Sequence, residues 1–195
     1  MNRGGNDNRS VRNTKKKLRD GLLQLMQKKP VNEITVKELT DLADINRGTF
    51  YTHYSDVYDM LRSLEDEFFA DFDRILEARQ PTVETAYLYL LAIFSFLGEN
   101  QDFCRTLLGP NGDLQFVRRV IGLVGEKCSA IWRHGAPNAD PKRFEMYNAF
   151  IITGCVGLIQ NWLDDGLKES AEEISRLAGT IILASIAPCI QGAEM

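Results

Sequence analysis

The chain has 195 residues, 44% of them hydrophobic and 26% charged, a balance that fits a globular protein with a real core. No stretch reaches the roughly 18 unbroken apolar residues of a membrane span, and the polar N-terminus lacks the apolar core of a signal peptide, so a cytoplasmic location is expected. The net charge of −4 conceals an asymmetry: residues 1–60 hold 11 Lys and Arg against 8 Asp and Glu and the rest hold 12 against 19, which points to an anionic partner at one end.

Gly, Asn and Arg dominate residues 1–10, an expected flexible arm. From Val11 the pattern turns helical, with Val11, Leu18, Leu22, Leu25 and Met26 on one stripe and Arg12, Lys15, Lys16, Lys17 and Arg19 mainly on the other faces. That helix should end near Lys28 and Lys29, because Pro30 cannot continue it. After a connector plugged by Ile34, Thr35-Val36-Lys37-Glu38 is a capping box that opens a short helix with Val36, Leu39, Leu42 and Ala43 facing inward. Asp44-Ile45-Asn46 forms a tight turn. Asn46 caps a second short helix, Arg47 to His53, with Phe50 and Tyr54 inward. A longer helix from Ser55 to about Ala78 follows.

Beyond Pro81, helices are predicted over Thr82–Leu97, around Phe103–Leu108, and from an Asp113 cap to about His134. Asp140-Pro141 starts another that runs to Asp165, with Asp at the N-cap and Pro at the first helical position. A second capping box, Ser170 to Glu173, opens a final helix that should stop at Pro188. The expected fold is all-α with about nine helices: an arm (1–10), a three-helix helix-turn-helix domain (11–58), a connecting helix (59–80) and an all-helical effector-binding and dimerisation domain (81–190).

A helix, a tight turn and a short second helix also occur in proteins that never touch DNA, so side-chain chemistry decides. The second short helix presents Arg47, Thr49, Tyr51, Thr52 and His53, with Lys37 and the Thr35 hydroxyl nearby. Arg forks onto guanine edges, Thr meets bases through its hydroxyl and methyl, and Tyr and His reach phosphates. Gly48, costly in mid-helix by about 1 kcal/mol, suggests close approach of its backbone to a neighbour or to DNA.

Residues 35–61, TVKELTDLADINRGTFYTHYSDVYDML, resemble the N-terminal domain of the tetracycline-repressor (TetR) family. Thr35, Leu39, Ala43, Ile45, Asn46, Gly48, Phe50, Tyr51, His53 and Tyr54 fill the family's pattern, and the aromatic segment and middle loop resemble the branch common in Firmicutes. The resemblance implies a dimeric DNA-binding transcription regulator, most simply a repressor released from a palindromic operator by a small-molecule effector. The alternative is a partner-dependent regulator or co-activator on the same scaffold, with little or no effector binding. DNA contact is expected from Thr35, Lys37, Asn46, Arg47, Gly48, Thr49, Tyr51, Thr52, His53 and Tyr54, with packing on the first helix the competing role of Tyr54. Asp44 stands where the family has Gly, Asn46 where it has Ser, and Val57 where it has a Lys approaching phosphate.

Residues 147–163 are apolar almost all round, and Gly154 and Gly157 lower one surface. Phe150, Gly154, Gly157, Leu158, Trp162, Ile174, Ile181 and Ile182 therefore form either a dimer interface or part of one chain's own core. The effector pocket implied by the resemblance would draw on Tyr87, Phe94, Phe103, Arg105, Phe116, Trp132 and Asn161, with His134 a further polar candidate. Cys104, Cys128, Cys155 and Cys189 lie too far apart for a metal or disulfide framework and read as small buried hydrophobes. No cofactor or metal is expected, and no nucleophile, paired-carboxylate or phosphate-loop motif suggests an enzyme.

Overall fold

The computed structural model describes the backbone of residues 4–78, 86–135 and 141–190, and side chains within 9–78, 87–126 and 142–185 except Arg143 and Phe144. Among the described residues there are nine α-helices and no strand. They are α1 (Gly4–Met26), α2 (Val36–Ala43), α3 (Arg47–Tyr51), α4 (Val57–Glu77), α5 (Ala86–Glu99), α6 (Gln101–Leu108), α7 (Leu114–Gly135), α8 (Pro141–Asp164) and α9 (Ala171–Ile190). No described helix is long and apolar enough to cross a membrane.

Two compact units divide the chain. The first gathers the residues up to Phe69 together with Gly109–Asp113, and the second holds Ala70–Leu108 and the chain from Leu114 onward. In the first unit α1 packs on α2, and α2 on α3. Gly21 makes the first crossing close, since a Cβ there would lie 3.2 Å from Leu39 Cδ1. Leu18, Leu22 and Met26 from α1, Leu39 from α2, Phe50 from α3 and Met60 from α4 are all fully buried. Each such side chain contributes roughly 1.5–3 kcal/mol of transfer free energy. In the loop between α6 and α7, Asn111 Nδ2 donates to Gln27 O at 3.4 Å, just past the end of α1.

In the second unit α5 packs on α9 and α6, α8 on α6, α7 and α9, and α6 on α7. Its core is aromatic. Phe72 and Phe96 stack at 5.6 Å, Phe94 meets Trp162 edge-on at 5.6 Å, and Phe103 meets Phe116 edge-on at 5.8 Å. Three hydrogen bonds tie α6 to α8: Arg105 donates from Nε and Nη2 to Leu163 O (3.0 and 2.6 Å), and Gln160 Nε2 donates to Leu108 O (2.7 Å). At the end of α8, Gly166 (φ 78°) and Leu167 (φ 56°) turn left-handed in succession, and their N–H groups close on Leu163 O and Trp162 O.

Four expectations change. Residues 4–10, read as arm, are already helical, because a growing helix needs only one further hydrogen bond per residue once α1 is nucleated. α1 ends at Met26, with Lys28 and Lys29 in the turn that follows. Val11 and Leu42, expected inward, are exposed, at 38% and 44%. α9 continues through Pro188 to Ile190, since a proline in the last turn removes a single ladder bond.

Candidate nucleic-acid interface

The two short helices are held by side-chain caps that the sequence makes readable. Thr35 sits extended (φ −96°, ψ 150°) and its Oγ1 accepts the Glu38 N–H at 3.2 Å. Asn46 does the same for α3, its Oδ1 accepting the Gly48 N–H at 2.7 Å. Between them Asp44 takes the left-handed conformation (φ 53°, ψ 52°) and closes α2 by donating its N–H to Thr40 O, while Ile45 N–H reaches the same carbonyl at 3.0 Å. Lys17 approaches the Asp44 carboxylate at 3.8 Å. The turn is thus fixed by local bonds and not by bulk.

This geometry accounts for Gly48 in a way the sequence did not. A Cβ at Gly48 would lie 3.2 Å from the Asn46 carboxamide oxygen, so glycine gives the cap room to close.

Thr35, Lys37, Asn46, Arg47, Gly48, Tyr51 and Thr52 are exposed, and Thr49 and His53 are half-buried. Tyr51, at 58% exposure, stands edge-on to Phe50 (5.5 Å), and the Thr52 hydroxyl donates to Thr49 O at 2.6 Å, leaving its oxygen as an acceptor. Nine of the ten residues expected at DNA therefore keep an accessible surface. Tyr54 does not. It is 5% exposed, packs on Phe50 at 5.7 Å, and carries the Lys15 ammonium over its ring at 5.9 Å. Burial pushes its phenol up, with Glu67 and Asp59 adding to the effect. Its place among the contacts is corrected to a core role, because its ring fills the gap between α1 and α3.

Position 57 is also settled by packing: Val57 is buried at the start of α4. That helix end is closed by its own carboxylates, with Asp59 N–H on Asp56 Oδ1 (2.7 Å) and Ser55 N–H on Asp59 Oδ2 (2.9 Å). The Asp59 carboxyl is accordingly held low by the Ser55 backbone N–H.

One contact escaped the sequence reading. Lys29 Nζ donates to Glu38 Oε2 at 2.6 Å and to Glu33 O at 2.9 Å, which ties the turn after α1 to the first turn of α2. Its only sequence signal is a Lys and a Glu on either side of a Pro-containing connector.

The described candidate effector residues differ in their surroundings. Phe94, Phe103 and Phe116 are fully packed against other rings, and Arg105 is committed to the Leu163 carbonyl. Tyr87 lies under the Arg176 guanidinium at 5.8 Å, and Asn161 is exposed. Trp132 and His134, with Cys128 and Cys189, lie outside the described side chains. Of the residues expected at a dimer face, Trp162 and Ile174 are each 3% exposed, and Trp162 Nε1 donates to Glu169 O (2.9 Å). Both are corrected to the chain's own core. Phe150 and Ile181 are exposed at 69% and 50%, Gly154 and Gly157 have nothing within 4 Å of a built Cβ, and Leu158 and Ile182 are half-buried. Met146 and Leu177, outside the residues expected at a dimer face, share this exposure.

Residues 84–183 match the family model described as a transcriptional regulator C-terminal region. The uncharacterized HTH-type transcriptional regulator YxbF of Bacillus subtilis is 20% identical over 164 residues, which are 82% of this chain and 42% of the relative, so the chain spans less than half that protein's length. A solved TetR transcriptional regulator from Streptococcus agalactiae aligns over 90% of this chain and 97% of its own, with a TM-score of 0.60 at 24% identity. FadR from Bacillus subtilis, solved in complex with stearoyl-CoA, aligns over 87% and 98%, with a TM-score of 0.64 at 15% identity.

Proposed function

Starting from the fact that the chain belongs to the TetR family of transcriptional regulators, we propose that it is a dimer that reads a two-fold-symmetric operator with α3 and releases it when a small-molecule effector binds the second unit. The observation that carries the DNA-reading part is the exposed Arg47, Tyr51 and Thr52 on a helix whose start is fixed by the Asn46 cap. A helix of five residues reads few base pairs, and two copies related by a two-fold axis supply the rest. Repression is the simplest output of such occupancy, in the cytoplasm where the operator lies. The stearoyl-CoA held by FadR on a similar fold makes fatty acyl-CoA the first effector class to try.

A mobility shift with the DNA upstream of the chain's own gene tests the operator reading. Retardation at low salt is expected, and its absence would overturn the reading. If Arg47 reads a base, Arg47→Ala lowers operator affinity by about 10- to 100-fold while barely changing non-specific binding. Equal losses on both would assign Arg47 to phosphate alone.

A second reading, regulation through a protein partner with little or no effector binding, is favoured by the ring-on-ring packing of Phe94, Phe103 and Phe116. Thermal melting with stearoyl-CoA tests the effector: a concentration-dependent rise supports it, and an unchanged melt removes fatty acyl-CoA of that length from the candidates.

A further inference from the structure

We infer that Lys29 is a positioning residue for DNA binding: by pairing with Glu38 it neutralises the charge of that carboxylate at the DNA-facing start of α2. The inference rests on the DNA-reading proposal above. Thr35 and Lys37, the two side chains of this helix start expected at DNA, are exposed, and Glu38 follows Lys37 directly in the same first turn. A carboxylate there suits the isolated helix, since it complements the positive helix end. It opposes a phosphate brought to the same end. Lys29 resolves this conflict, because its ammonium sits 2.6 Å from Glu38 Oε2 and is steadied by Glu33 O at 2.9 Å. The pair is only part-exposed, with 28% of the Lys29 side chain and 39% of that of Glu38 accessible. The Glu38 carboxyl is held low first by the Lys29 hydrogen bond, so the glutamate stays charged and stays engaged.

A Lys that merely adds positive charge would act independently of Glu38. A Lys that masks Glu38 would not, and a double-mutant cycle separates these roles. Binding of a fluorescent duplex by wild type, Lys29→Met, Glu38→Gln and the double variant is read by anisotropy at fixed salt, with thermal melts to show that each variant folds. Lys29→Met is expected to weaken binding about tenfold, Glu38→Gln alone to change it less than about twofold, and Glu38→Gln on the Lys29→Met background to restore most of the loss. Lys29→Arg, which keeps the charge and the donors, should remain within about twofold of wild type. An equal effect of Glu38→Gln in both backgrounds would overturn the inference and assign Lys29 to direct phosphate contact. So would an unchanged affinity in Lys29→Met, or a Lys29→Arg variant as weak as Lys29→Met. Failure of the wild type itself to bind any duplex would instead sink the DNA-reading proposal.

Discussion

Asp44 shows how one residue carries both a cost and a function. At φ 53° it occupies a region that disfavours side chains with a Cβ, although Asp tolerates it better than most. It closes α2 with its N–H on Thr40 O and faces Lys17 at 3.8 Å across exposed surface. So long an exposed ion pair contributes little, whereas relief of the left-handed strain is worth more. Asp44→Gly is therefore expected to stabilise the fold by about 0.5–1 kcal/mol, read as a higher urea midpoint at unchanged slope. A lower midpoint would mean that the Lys17 contact and the lost chain stiffness outweigh the strain. Gly48 makes the complementary point: its missing Cβ serves the Asn46 cap, so a conspicuous glycine in a short helix has a local cause in view.

At the scale of elements, helix starts recur as the fixed points of the chain. Ser170 and Glu173 bond reciprocally at α9, Ser170 N–H to Glu173 Oε2 at 2.8 Å and Glu173 N–H to Ser170 Oγ at 3.2 Å. The Glu173 carboxyl is held below its ordinary range, mainly by the Ser170 backbone N–H. A carboxyl depressed in the folded state stabilises fully above its unfolded value, and that contribution fades as pH falls through the folded value. Stability should thus decline on acidification through and below the ordinary glutamate range, and Glu173→Gln should lose less over that interval. Urea midpoints between neutral and acid pH check this, and parallel declines would show that Glu173 is not linked to folding. Ser170→Ala, which strips the other half of the box, should cost about 1 kcal/mol.

At the scale of the whole molecule, the exposed apolar residues of α8 and α9 separate from the buried ones. Met146, Phe150, Leu177 and Ile181 remain open to solvent in the single chain, as do Gly154 and Gly157, while Trp162 and Ile174 fill its core. Large exposed apolar side chains of this kind mark association surfaces, and a second copy is the occupant that the two-fold operator proposed above would require. Gly157→Glu or Ile181→Glu is expected to yield folded monomers, seen as one-chain mass in light scattering. Dimers unchanged by both substitutions would move the interface elsewhere. Trp162→Ala should instead lower stability by about 3–5 kcal/mol, because it opens a cavity beside Phe94.

The sequence alone determined the helical class, most helix starts and the two capped short helices with their exposed side chains. Those features rest on caps and periodicities that span a turn or two, so each is set by residues a few positions apart, as with Thr35 and Glu38 or Ser170 and Glu173. Tertiary structure alone decided which apolar residues of α8 and α9 turn inward, and so moved Trp162 and Ile174 into the core. It also joined Lys29 to Glu38 and, across 58 positions, Arg105 to the Leu163 carbonyl. Such contacts depend on where separate helices cross, and no local pattern encodes that.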